Sequence, residues 1–454
     1  MSNKVLFISL GCDKNLVDSE RMLGSLAGKG YIVTDMEEEA DVIVINTCCF
    51  IDKAKEESIE SILDMARYKT EGNCKALIVA GCMAERYRQE IIDEIPEVDA
   101  IVGTGSFHRI EDAVEAAMSG RKDMIFDQLN EASAAAVSEP QRMMTTGGHY
   151  EYLKIAEGCN KHCSYCIIPK LRGDYHSVPM EKLLAEAEYF ARQGVKELIL
   201  IAEETTLYGL DLYGRKSLHL LIKGLCRIPD IEWIRILYCY PEEIYPQLVQ
   251  VIKEEPKVCH YLDMPIQHIN DTILRRMGRR TNKQQLLETI YNLRKEIPDI
   301  ALRTSLITGF PGETEEQHEE LMDFVDEIRF DRLGVFTYSQ EEDTPAASFP
   351  DQIPQEIKER RQDELLALQQ EISFQNGQDR IGQVLDVHIE GYMSDENSYV
   401  GRTYADTPGV DGYFFIETDE VLHSGDMVKA RVTGALEYDL IGELEGDFRD
   451  EFTE

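Results

Sequence analysis

The chain has 454 residues, enough for about two to four domains, and 43% of them are hydrophobic. Mean hydropathy is −0.32 and no long uninterrupted apolar run occurs, so no membrane span is expected. The 85 acidic and 47 basic side chains leave a net charge of −38, a field that repels nucleic-acid backbones and attracts basic proteins.

The N-terminus leads directly into a strand-like run with no signal peptide. The eleven cysteines, in a long chain without export signals, then suggest reduced thiols and metal ligands in the cytoplasm. Three continuous apolar runs, residues 4–10, 42–46 and 76–80, read as buried parallel strands. Helical patterns lie at about 53–69 and 84–94, and a short strand near 99–102 precedes a helix at 107–119. This alternation predicts an open, mostly parallel α/β domain over residues 1–127.

Cys12, Cys48 and Cys82 each follow one of the three runs. Strand ends of an open α/β sheet share one edge, where ligands bind. The pattern therefore brings three thiolates together from distant parts of the sequence and predicts a cluster site. Small buried hydrophobes at strand ends are the alternative. Cys49, Cys74, Cys226, Cys239 and Cys259 lack this placement and read as packing residues. Residues 128–149, with little apolar periodicity and a Thr-Thr-Gly-Gly stretch, read as a linker.

Strand-like runs near 151–156, 197–202, 232–239, 260–264, 301–307 and 333–338 follow, separated by helical patterns. Six βα units over residues 150–374 predict a partial (β/α)6 TIM-like barrel with its chemistry at the C-terminal ends of the strands. After the first of these strands come Cys159, Cys163 and Cys166, in a C-x3-C-x2-C pattern. Soft thiolates at this spacing select zinc, copper(I) or an iron–sulfur cluster. A structural zinc site needs four ligands, for which His162 is the one nearby candidate. A four-iron cluster held by three cysteines leaves one iron open for a substrate or cofactor. Other strand ends carry polar or glycine signatures. The candidate cofactor-binding positions there and within the strands are Glu203, Arg235, Arg303, Ile307 and Gly309.

Thr314 and Gln317 form a capping-box pattern, and a polar helix over 355–374 leads into the last region. Five short alternating segments within 381–444 predict a small OB-like β-barrel. Residues 375–454 hold 19 acidic and 5 basic side chains, a net of −14, where an RNA-binding barrel would show a basic stripe.

The C-x3-C-x2-C motif resembles that of the radical S-adenosylmethionine (SAM) superfamily. The whole chain resembles the methylthiotransferase family within it, which has an N-terminal cluster domain, a radical SAM barrel and a C-terminal TRAM domain. The segment Ser9-Leu10-Gly11-Cys12-Asp13-Lys14-Asn15-Leu16-Val17-Asp18-Ser19-Glu20 is similar to the RimO-type branch, which modifies an aspartate β-carbon of ribosomal protein S-twelve. The tRNA-modifying, MiaB-like branch typically has Gln-Met-Asn around the position of Lys14-Asn15.

The resemblance implies two 4Fe-4S clusters, one on Cys12, Cys48 and Cys82 and one on Cys159, Cys163 and Cys166. The second would bind SAM and generate a 5′-deoxyadenosyl radical, the auxiliary cluster would deliver sulfur, and a second SAM would supply the methyl group. Ribosomal protein S-twelve as substrate, a sulfur donor and an electron donor such as flavodoxin or ferredoxin are the implied partners. The family commonly has Gln-Asp-Thr where this chain has Glu203-Glu204-Thr205. Competing readings are a tRNA adenosine methylthiotransferase and a non-catalytic iron–sulfur carrier.

Overall fold

A computed structural model describes residues 3–129 and 142–445. Its N-terminal part is a parallel sheet of six strands, β1 (Lys4–Ser9), β2 (Ile32–Val33), β3 (Val42–Thr47), β4 (Ala76–Gly81), β5 (Ala100–Val102) and β6 (Asp123–Ile125), in the order β2-β1-β3-β4-β5-β6. Every residue of β3 and β4 is buried, as their unbroken apolar runs require. The edge strands β2 and β6 escape the sequence reading because two or three residues show no periodicity. The first helix, Asp13–Gly28, begins immediately after Cys12.

The central part places β7 (Tyr150–Lys154), β10 (Glu197–Ile201), β11 (Trp233–Ile236), β12 (Val258–Asp263), β13 (Ala301–Thr308) and β14 (Arg332–Thr337) in one parallel sheet, ordered β14-β13-β12-β11-β10-β7. A small ribbon of β8 (Ala156–Glu157) and β9 (His176–Ser177) brackets the cysteine loop. Alternation divides the sheet's two faces. Leu198, Leu200, Ile234, Ile236, Leu262 and Leu302 pack in the helix layer. Tyr152, Ile199, Trp233 and Tyr261 form a second cluster with two outsiders, Val17 of the first helix and Ala405 of the C-terminal barrel.

The helix Gln355–Gln378 leads to a closed barrel of β15 (Val384–Met393), β16 (Ser398–Arg402), β17 (Phe414–Ile416), β18 (Met427–Ala435) and β19 (Leu440–Leu444). Val387, Ile389, Phe414, Ile416, Ala430 and Val432 fill it. The segment 403–411 reaches out of this barrel to the start of the central strands. Tyr404 donates to the Asp299 carbonyl, Arg332 pairs with Asp406, and Tyr261 donates to Asp411 at 2.8 Å.

Residues 130–141 of the expected linker lie outside the described residues. The stretch that follows is docked. Buried Arg142 binds Glu20 and Glu151, tying the first helix to β7. The capping box at Thr314 and Gln317 forms as expected. Among the described residues, no helix is long and apolar enough to cross a membrane.

Candidate iron–sulfur and cofactor site

The three N-terminal cysteines come together because parallel strands deliver their C-terminal ends to one edge. Two glycines make the approach possible. Gly11 and Gly81 have φ of +88° and +89°. A Cβ on Gly11 would lie 2.7 Å from Cys48 Cβ, and one on Gly81 would lie 2.2 Å from Asn46 Oδ1. Cys48 and Cys82 are buried while Cys12 is exposed. Burial pushes the Cys48 thiol up, and Cys12 adds to the shift; burial does the same to Cys82, to which Cys48 and Cys12 contribute.

The second triplet lies in the loop after β8. The loop is seated on the segment from Arg276 to Gly278: Ser164 donates its backbone N–H to the Met277 carbonyl at 2.9 Å and its hydroxyl to the Arg276 carbonyl at 2.7 Å. The Cys163 sulfur lies 3.9 Å from the Tyr240 hydroxyl, and the Arg279 guanidinium stacks 4.3 Å from the centre of the Tyr240 ring. Burial pushes the Cys159 thiol up to about 12 and raises Cys166 as well. A thiolate in either place needs a compensating positive centre.

His162 is exposed. No group of three or more His, Cys, Asp and Glu among the described residues is placed to hold a single ion. Each triplet offers three soft donors of the type that iron–sulfur clusters use.

A buried charge network ties the end of the cysteine loop's helix to Cys82. Arg172, six residues beyond Cys166, donates to Asp18 at 2.9 Å, to Glu157 at 2.8 Å and to Asn15 at 2.5 Å. It also approaches Cys82 Sγ at 3.8 Å. Lys154 pairs with Asp18 and with Glu157 at 2.6 Å. Burial opposes charge on Glu157, but Lys154 and Arg172 hold it below the usual carboxylate range. Lys14 pairs with Asp13 at 3.0 Å and lies 3.3 Å over the ring of Tyr238, whose φ is +57°.

The five other candidates separate into two groups. Both carboxylate oxygens of Glu203 are buried and accept no hydrogen bond; Arg172 Nε stands 3.8 Å from one of them. Burial, then repulsion from Glu157, pushes Glu203 up to about 7. Ile307 packs on the cluster of Ile273, Met277 and Phe310, as does Tyr165 of the cysteine loop. At Gly309 (φ +68°) a Cβ would strike Lys358 at 2.3 Å. These three stand at the C-terminal ends of their strands.

The arginines are employed elsewhere. Arg235 donates to Glu197 at 2.7 Å and to the Tyr404 carbonyl at 2.5 Å. Arg303 binds Asp263 at 2.8 Å and Asp411 at 3.3 Å. Each arginine has protein partners, one of them in the segment 403–411. Sequence reasoning missed Arg172, Lys154, Tyr240 and Arg279. The signal for Arg172 was its nearness to Cys166; the others carry none without their partners.

Three family models match the chain. Residues 4–103 match Uncharacterized protein family UPF0004, residues 153–325 the Radical SAM superfamily and residues 381–444 the TRAM domain. A solved structure of the radical S-adenosylmethionine methyltransferase TsrM from Kitasatospora setae, with cobalamin and a [4Fe-4S] cluster bound, superposes with a TM-score of 0.56 at 13% identity, over 76% of this chain and 77% of that one. That likeness is one of fold. The open parallel sheet and its cysteine loop define a radical SAM protein.

The chain is 58% identical over 442 residues to the Ribosomal protein uS12 methylthiotransferase RimO of Lachnoclostridium phytofermentans, covering 97% of this chain and all of that one. It is 47% identical over 439 residues to the protein of the same name from Clostridium botulinum, covering 97% of each. The chain belongs to the RimO family of radical SAM methylthiotransferases.

Proposed function

We propose that the chain places a methylthio group on the β-carbon of an aspartate of ribosomal protein uS12, in the cytoplasm. The observation that supports this reading is that Arg172, six residues beyond Cys166, approaches Cys82 Sγ at 3.8 Å. In this reading residues 1–127 carry the auxiliary cluster, 150–374 the SAM cluster and 375–454 the substrate-facing TRAM barrel.

A β-carbon C–H beside an ionised carboxylate is barely acidic, so a general base is the wrong tool. Three-thiolate 4Fe-4S clusters with SAM supply, when bound, homolytic hydrogen removal, sulfur and a methyl group. Cys159, Cys163 and Cys166 would hold one cluster, and Cys12, Cys48 and Cys82 the other. Glu203, buried with two free acceptor oxygens, is suited to the ammonium or hydroxyl groups of a SAM molecule. Ile307 and Gly309, at the end of another strand of the same sheet, are the remaining candidates for contact with it. Val17 closes the concave face of the sheet and keeps water from it.

The net charge of −14 over residues 375–454 suits a basic ribosomal protein and opposes tRNA. A sulfur donor and a flavodoxin- or ferredoxin-type electron donor complete the reaction. Mass spectrometry of uS12 and tRNA after incubation with purified, anaerobically reconstituted enzyme tests the reading. A methylthio-aspartate on uS12 is expected; modification of tRNA adenosine with uS12 unchanged overturns it.

A further inference from the structure

We infer that Arg172 is a tuning residue for the auxiliary cluster: its guanidinium donates an N–H to the Cys82 sulfur and raises the reduction potential of that cluster. The inference rests on the reading that Cys12, Cys48 and Cys82 hold a cluster. Arg172 ends the short helix Ile168–Arg172, which starts two residues after Cys166. One five-residue helix thus carries a SAM-loop cysteine near its start and a contact to the other triplet at its end. The Leu171 carbonyl accepts from Thr104, which pins the same turn to the N-terminal sheet.

The guanidinium is oriented by partners on every edge. Asp18 and Glu157 take Nη1, Asn15 Oδ1 takes Nη2, and Glu203 faces Nε. Asn15 Oδ1 also lies 3.9 Å from Cys82 Sγ, so Nη2, the amide and the sulfur form one compact triangle. Asp18 and Glu157 together offset the charges of Arg172 and Lys154. At 3.8 Å the guanidinium still presents a directed N–H to the sulfur.

Hydrogen bonds to cluster sulfurs stabilise the more negative, reduced form and so raise the potential. Lysine cannot replace the fork, because one ammonium cannot span Asp18, Glu157, Asn15 and Cys82 in a plane.

The test is a potentiometric EPR titration of the auxiliary cluster alone, in full-length Cys159→Ala/Cys163→Ala/Cys166→Ala protein reconstituted anaerobically. Arg172→Met and Arg172→Lys are compared in that background. Each is expected to shift the reduction equilibrium about tenfold toward the oxidised form, which is 59 mV downward for a one-electron couple. Unchanged potentials at four irons per chain overturn the inference. So does an equal shift of the SAM cluster in the reciprocal Cys12→Ala/Cys48→Ala/Cys82→Ala background. If Arg172→Met does not hold iron, Arg172→Lys decides. Absence of iron from the background protein itself, with Arg172 intact, would instead refute the cluster assignment.

Discussion

Arg402 of the C-terminal barrel donates to Glu197 of the central sheet at 2.8 Å, and neither side chain is reached by solvent. Arg235 takes the other carboxylate oxygen at 2.7 Å. Burial works against the charge, yet the two guanidinium groups hold Glu197 down at about 2. Two cations thus converge on one carboxylate at the seam between the barrels. Arg402→Ala should leave the seam with a broken ion network and cost about 3–5 kcal/mol. A lowered midpoint in thermal melts, with faster proteolysis near residues 379–383, is the expected result; an unchanged midpoint would show that the seam is not held this way.

The polar tie at the other end should respond to pH in the opposite sense. Glu151 shares Arg142 with Glu20, and Glu186 stands 3.6 Å from the same arginine. Burial raises Glu151 to about 7, with Glu20 adding to the shift and Arg142 opposing it. A carboxyl that holds its proton more tightly in the folded state contributes stability below about 4.3, its unfolded value. That contribution is lost as pH rises through 7. Melting temperatures between pH 5 and 8 should therefore fall more steeply for the wild type than for Glu151→Gln. Parallel curves would sink the assignment.

The two triplets should separate by iron count and by reaction. Anaerobic reconstitution should give about eight irons per chain, and about four in either triple alanine variant, by the four-iron reading of each site. Replacing Cys159, Cys163 and Cys166 should abolish reductive SAM cleavage. Replacing Cys12, Cys48 and Cys82 should spare it and stop sulfur insertion. Loss of SAM cleavage in both folded variants would show that the labour is not divided.

The two cysteine triplets were legible in the sequence because cysteine spacing and strand-end placement are local signals. The β3 and β4 runs announced a buried sheet, and the five segments after residue 381 announced a closed barrel. Arg235 was read as facing a ligand because nothing near it in sequence could neutralise it. Its partners come from Glu197 and from the carbonyl of Tyr404, which only the tertiary fold delivers. Arg142, inside an apparently featureless linker, was invisible for the same reason.

Glu203 provides a test of cofactor contact. Glu203→Ala should weaken SAM binding by about 10–100-fold, the range expected for a hydrogen bond to a charged group. Glu203→Gln keeps an acceptor oxygen and should retain most of the affinity. Equal losses in the two variants, measured by equilibrium binding to the reconstituted protein, would remove the contact.

Charge should govern substrate encounter. Screening over roughly 8 Å at physiological salt means that association with uS12 weakens as salt rises. Exchanging exposed Glu396, Glu417 and Glu437 for Lys should slow association about tenfold or more and leave SAM cleavage unchanged. A salt-independent rate would rule out steering by the acidic barrel.

The bond between Arg172 and the Cys82 turn also sets an order of events during synthesis. A ribosome adds about 5–20 residues per second, and N-terminal domains fold first. All three auxiliary thiols have therefore been made before residue 172 is, with neither Arg172 nor the central domain yet over them. The nascent sheet would present these thiols bare until the helix Ile168–Arg172 docks beside Cys82.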